Sequence, residues 1–316
     1  MHPLPYLKPF EMHIPDGFLS VTLALLLWGI SIVLIMIALR NSRNNFSDKQ
    51  IPLMGIMAAF IFAAQMINFP IAGGTSGHFL GGVLAAITLG PWAGMLVMTS
   101  VIAVQGLLFQ DGGLLVMGAN IFNMGLLTVL IGYGFYRAVL SQKPWVKLAV
   151  IGIAAWLAVM AGALATSLEL WLSGTSSLQI VVPAMLGVHA LIGIGEALIT
   201  IGAFAFIVRT KPDLITATEK TPKGGKTWIL GGILTALLVV LLSPFASAEP
   251  DGLERIAENL GFISQGAAAP YQILPDYTLP ILGSTSISTI IAGIIGAAVV
   301  GLTAIVIVRL IRKPAN

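Results

Sequence analysis

The chain has 316 residues, of which 57% are hydrophobic and 9% charged, where ordinary globular domains carry about 25% charged residues. So few charges cannot cover a water-facing surface of this size, which excludes a soluble domain and requires lipid around most of the chain. Lys+Arg number 16 and Asp+Glu 13, but the cations lie between apolar runs rather than along one polar face, which excludes a nucleic-acid footprint. With no cysteine, disulfides and thiolate ligands are excluded as well, and a metal would have to take imidazole, carboxylate, amide or backbone nitrogen.

Residues 1–11 hold Lys8 and three prolines without the apolar core of a signal peptide. They read as an extension, with Met12 the expected true start. The first apolar run, Phe18 to Leu39, stops at Arg40-Asn41-Ser42-Arg43, with Lys49 beyond. Positive charge marks the cytoplasmic side, which puts the N-terminus and His13 outside. Ile51 to Met66 returns outward and ends at Asn68-Phe69-Pro70, because proline cannot continue a helix and restricts the residue before it. The glycine-rich stretch Gly73-Gly74-Thr75-Ser76-Gly77-His78 follows on the same side as His13. A helix is expected to start near Gly77 and His78, with Gly77 and Gly81 on one close-packing face.

Phe79 to Leu89 is a short third run that turns at Gly90-Pro91-Trp92. Ala93 to Phe109 and Leu114 to Tyr136 flank the turn Gln110-Asp111-Gly112-Gly113. The next connection, expected inside, carries Arg137, Lys143 and Lys147. Leu148 to Leu172 and Ile180 to Val208 complete seven spans and end at Arg209. A polar linker, Thr210 to Thr227, precedes two further spans, Trp228 to Phe245 and Ile281 to Val308, before Arg309, Arg312 and Lys313. The outer loop between these spans repeats the tripeptide Pro-Asp-Gly, at Pro250 as at Pro15, which reads as turn chemistry. The expected fold is an all-α polytopic membrane protein, a seven-helix bundle followed by a two-helix unit, with its C-terminus cytoplasmic.

Of the four histidines, His13 and His78 fall on one predicted face, each beside a turn. If Met12 is the first residue, its amine, the deprotonated His13 amide and His13 Nδ1 close two chelate rings, and His78 completes a planar nitrogen set. Such a set suits Ni(II) or Cu(II), and its affinity falls as pH falls. If residues 1–11 are retained, that chelate is lost, and Met1-His2 is the other source of the same group. His189 and Glu196 lie on one face of the seventh span, where ionisable groups mark either function or an interhelical lock. Asn68, Gln105, Asp111, Asn120 and Asn123 form a polar set that either lines the same pocket or satisfies irregular backbone. Gly224-Gly225-Lys226-Thr227 imitates the end of a phosphate loop, but Lys220 stands where the first glycine is needed. Gly74-Thr75-Ser76-Gly77 matches a short intramembrane-protease pattern, with His189 as a base. The competing readings are therefore a serine protease using Ser76 and His189, and a proton-coupled carrier using His189 and Glu196.

The ordered motifs together resemble the CbiM/NikM family. They are Met12-His13-Ile14-Pro15-Asp16-Gly17, Gln65-Met66-Ile67-Asn68-Phe69-Pro70, Gly74 to His78, Gly90-Pro91-Trp92, Gln110 to Gly113 and Gly118-Ala119-Asn120. Pro250-Asp251-Gly252-Leu253-Glu254 resembles the small partner component, fused here as a PDGLE-type domain. The resemblance implies four regions: an extension over 1–11, a metal-binding transmembrane domain over 12–209, a cytoplasmic linker over 210–227 and a PDGLE-like domain over 228–316. It implies the substrate-capture subunit of an energy-coupling-factor importer in a prokaryotic inner membrane, taking up Ni²⁺ or Co²⁺ and driven by a T-type coupling subunit and separate cytoplasmic ATPases. It further implies Met12, His13 and His78 as the metal-holding residues, with no catalytic residue and no resident cofactor. The fused form leans toward nickel; cobalt for cobalamin synthesis is the runner-up.

Overall fold

The structure, a computed structural model, describes residues 13–43, 50–210 and 227–312. Met12, the 1–11 extension, Met1-His2 and residues 211–226 of the linker lie outside the described residues. Each of the nine expected apolar segments is a helix. Among the described residues seven helices are long and apolar enough to cross a membrane, while the second and third segments are shorter. The seven-plus-two helical architecture expected from the sequence is the one observed.

The first helix, α1 (Val21–Ser42), starts later than the apolar run because the Ser20 hydroxyl accepts the Leu23 N–H and caps it. Its Leu25, Leu26, Val33 and Met36 are exposed, the face a spanning helix gives to lipid. Helix α2 (Gln50–Gln65) ends at a two-stranded hairpin, β1 (Phe69–Ile71) against β2 (Thr75–Gly77), with Phe69 paired to Gly77. The expected helix start at Gly77 and His78 is therefore corrected. Gly81 has φ +82°, a left-handed conformation that favours glycine, and helix α3 (Gly82–Leu89) begins only after it.

Helix α4 (Pro91–Val104) runs on as a π-helical turn over Gln105–Phe109. Helix α5 (Met117–Asn120) passes through a second π-helical stretch, Ile121–Leu127, into α6 (Thr128–Ala138). Such wide turns concentrate at functional sites, and the second of these places Asn123 and Met124 in the lining of the cavity described below. Helices α7 (Pro144–Leu172) and α8 (Leu178–Thr210) form a long antiparallel pair. The stretch 91–109 is 72% buried against 17% for Trp228–Phe245, so α4 is the central post and the eighth segment is peripheral.

The C-terminal unit places α9 (Thr227–Leu242) and α11 (Ser286–Ile311) against α2. A Cβ on Gly55 would lie 3.1 Å from the Gly301 carbonyl, so glycine on both helices lets the backbones approach closely. The last span was expected from Ile281; it starts at Ser286, where the Thr285 hydroxyl accepts the Ser288 N–H. Between α9 and α11 a long loop, carrying α10 (Gly252–Leu260), folds over the end of the bundle that holds His13 and the hairpin.

Candidate metal-binding site

The segment after Met12 is plugged into the bundle rather than left as a tail. One Asp16 oxygen accepts the N–H groups of Leu115 and Val116 at 2.9 and 3.1 Å, and the other accepts that of Leu114 at 3.1 Å. These are unpaired donors at the start of α5, where a negative charge is favoured. The cap explains why α5 begins at Met117 rather than at the expected Leu114. The Asn120 side chain takes the Ile14 N–H and returns its own N–H to the Ile14 carbonyl, both at 3.0 Å. Gly113 donates its N–H to the same carbonyl at 2.9 Å, and a Cβ there would sit 2.2 Å from Asp16.

Docked this way, His13 is buried and meets His78, with ring centroids 5.7 Å apart and planes at 73°. His13 Nδ1 lies 3.0 Å from the Asp111 carbonyl and 3.4 Å from Asp111 Oδ1. A carbonyl only accepts, so Nδ1 carries the proton. His13 Nε2 is then a buried nitrogen without a hydrogen-bond partner among the described residues. His78 Nδ1 donates to the Phe79 carbonyl at 3.2 Å, which leaves its Nε2 lone pair for other use. Burial, helped by His13, lowers the His78 pKa to about 4, so the ring is a neutral donor at ordinary pH.

Both histidines line a cavity of about 80 Å³, together with Asn120, Asn123, His189 and Asp251. Among the described residues no three His, Cys, Asp or Glu side chains form a group able to hold a metal. The predicted polar set divides: Asn120 and Asn123 line the cavity, Asp111 holds His13, and Asn68 and Gln105 are not among the lining residues.

The C-terminal domain lines one side of the cavity with Asp251, Gly252 and Leu253. Ser76 donates its backbone N–H to the Pro250 carbonyl at 2.8 Å and its hydroxyl to that of Glu249 at 2.7 Å. Asp251 accepts the Glu254 N–H at 2.7 Å and caps α10. Burial nevertheless pushes its carboxyl up to about 8. Both Pro-Asp-Gly tripeptides thus cap helices with their aspartates, Asp16 in trans and Asp251 locally. Gly252 packs against His189, where a Cβ would come within 3.0 Å of the imidazole. Tyr277 donates its hydroxyl to Asp111 Oδ2.

Ser76 and His189 do not form the expected pair: the serine hydroxyl bonds Glu249, and His189 Nδ1 bonds the Met185 carbonyl at 2.8 Å. Glu196 lies two turns from His189 on α8, but its two oxygens accept the Leu80 and Gly81 N–H groups at 2.7 and 3.0 Å. Sequence reasoning missed the roles of Asp16, Tyr277 and Asp251. Only the repeated Pro-Asp-Gly carried a signal for any of them.

The protein-family model for the cobalt uptake substrate-specific transmembrane region, CbiM, matches residues 13–214, and that for the PDGLE domain matches residues 225–313. A putative fused nickel transport protein NikMN from Archaeoglobus fulgidus is 38% identical over 293 residues, 92% of this chain and 95% of that one. A probable fused nickel transport protein LarMN from Lactiplantibacillus plantarum is 35% identical over 254 residues, 74% of each chain. A crystal structure of a truncated transition metal transporter superposes with a TM-score of 0.57 at 35% identity, covering 62% of this chain and 98% of that one.

Proposed function

Since the chain belongs to the CbiM family of cobalt uptake transmembrane proteins and carries a fused PDGLE domain, we propose that it is the substrate-capture subunit of an importer for Ni²⁺ or Co²⁺. The observation that carries this reading is the meeting of His13 and His78 at a small cavity, with His78 Nδ1 bonded to a carbonyl and its Nε2 left over, and with His13 Nδ1 held at the Asp111 carbonyl. Two imidazoles in a site without thiolates suit a borderline transition-metal ion better than Mg²⁺ or Ca²⁺. Met12 and the His13 amide would supply the remaining nitrogens of a planar set. In that set Nδ1 of His13 exchanges the Asp111 carbonyl for the ion. Nickel is the favoured substrate, because the fused relatives named above are described as nickel transport proteins.

The capture site faces outward, on the reading that basic ends such as Arg40, Arg137 and Arg209 lie in the cytoplasm. By its family membership the chain takes its driving force from separate T-type and ATPase subunits. Radiolabelled nickel and cobalt uptake in cells with and without those subunits tests the reading, for chains starting at Met1 and at Met12. His78→Ala should abolish uptake, whereas Ser76→Ala should largely retain it. Normal transport by His78→Ala would overturn the assignment.

A further inference from the structure

Glu196 is a fully buried carboxylate on α8 that neither the cavity nor the imidazole pair uses directly. Its two oxygens accept adjacent backbone donors, Leu80 N–H at 2.7 Å and Gly81 N–H at 3.0 Å. The Leu80 N–H and the Phe79 carbonyl are opposite ends of one planar peptide unit. That carbonyl is the one that accepts the His78 Nδ1–H at 3.2 Å. The Leu80 carbonyl, on the next peptide unit, accepts the Gln65 side-chain N–H at 2.7 Å.

We propose that Glu196 is a positioning residue for His78, acting through the Phe79–Leu80 peptide unit. The inference rests on the reading of His78 as a metal ligand. Gripping the N–H end fixes the orientation of the peptide plane, and so aims the carbonyl at His78 Nδ1. The hydrogen bond at one end also polarises the group at the other, since bonds in a chain strengthen one another. The imidazole is thereby held as the Nδ1–H tautomer with Nε2 free to bind the ion. Metal-bound histidines characteristically donate their other N–H to a carbonyl or carboxylate that sets tautomer and basicity. Here the carboxylate stands one peptide unit behind the carbonyl. Gly81, at a left-handed φ of +82°, turns the chain into α3 immediately after the two gripped N–H groups.

The test uses the full chain in detergent with ¹⁵N-labelled histidine and Ni²⁺ alone as the probe. In Glu196→Gln the amide offers one acceptor instead of two and turns an N–H toward a backbone donor. We expect nickel affinity to fall about 10–100-fold and the His78 ¹⁵N shifts to leave the Nδ1–H pattern for a tautomer mixture. Glu196→Asp, which keeps the carboxylate, should recover part of both effects and serves if the glutamine variant does not fold. Gln65→Ala loosens the neighbouring peptide and should lower the melting temperature without moving the His78 tautomer. Wild-type affinity in Glu196→Gln, an unchanged His78 tautomer, or the same tautomer change in Gln65→Ala would each overturn the proposal. If the wild-type chain binds neither nickel nor cobalt, the metal-site reading fails, and the tautomer measurement still decides the role of Glu196.

Discussion

Ser76 gives its hydroxyl to the carbonyl of Glu249 at 2.7 Å, so the strand that leads into His78 is fastened to the C-terminal domain. Ser76 is fully buried and committed to this contact, which leaves no hydroxyl for nucleophilic attack. In Ser76→Ala the parallel backbone bond from Ser76 N–H to the Pro250 carbonyl at 2.8 Å persists. The net worth of one neutral hydrogen bond is about 1 kcal/mol, so the variant should melt slightly earlier and keep most of its metal uptake. A complete loss of function with an unchanged melting temperature would contradict this account of the residue.

Asp251 gives the clearest pH dependence outside the spans. Burial raises its carboxyl to about 8 from a model-peptide value near 4. Between those values the folded protein holds a proton that the unfolded chain has released, so stability falls as pH rises through the window. The slope contributed is at most about 1.4 kcal/mol per pH unit. Asp251→Asn mimics the protonated form and retains an oxygen for the Glu254 N–H. The variant should match wild type near pH 4 and melt at a higher temperature than wild type near pH 8. Thermal melts across that range check it, and parallel curves for the two proteins would refute the assignment.

Asp16 joins the N-terminal plug to a helix start about a hundred residues away, through Leu114, Leu115 and Val116. Asp16→Ala leaves those three donors without their acceptor. Loss of a helix cap costs about 0.5–2 kcal/mol, and release of the plug also frees His13 from its place beside His78. Metal binding should weaken by more than the melting temperature alone suggests. Asp16→Asn keeps one oxygen as acceptor and should fall between wild type and alanine in both nickel titration and thermal melting.

The contrast between Asp16 and the helices shows where the sequence is legible. Lipid demands long apolar stretches, so α1, α7, α8 and α11 announce themselves by composition, and cations at Arg40, Arg137, Arg209 and Arg309 mark the ends of α1, α6, α8 and α11. The candidate imidazoles are legible because so few metal-binding side chains exist in this chain. The contacts that hold them are not. Asp16, Asn120 and Glu196 act on backbone groups far away in sequence, and no local pattern records which donor a buried carboxylate will meet. The stretch after Gly77 departs from its local pattern for a related reason: glycines four apart look like a helix face, but Thr75–Gly77 pairs as a strand, Glu196 takes the Leu80 and Gly81 N–H groups, and Gly81 turns left-handed before α3 begins.

Tyr277 is the least legible of these contacts and gives a separable prediction. It lies in the loop of the C-terminal domain, yet it stacks on Phe109 with centroids 4.7 Å apart and planes 17° apart, and its hydroxyl reaches Asp111 Oδ2. Both Asp276 and Tyr277 hold positive φ, +52° and +55°, a conformation that side-chain-bearing residues avoid and that persists only where surrounding contacts enforce it. Burial, with the Asp111 charge adding, raises the phenol well above its ordinary pKa, so it remains a donor throughout the physiological range. Tyr277→Phe keeps the stack and removes the bond to a buried carboxylate, which should cost about 1.5–3 kcal/mol. Tyr277→Ala removes the stack as well and should cost more, about 3–5 kcal/mol by analogy with other aromatic truncations. Thermal melting of both variants separates the two contributions. Equal losses would mean that the hydroxyl carries the whole contact, and a wild-type melting temperature for Tyr277→Phe would mean that the aromatic stack alone fastens the C-terminal domain over Asp111.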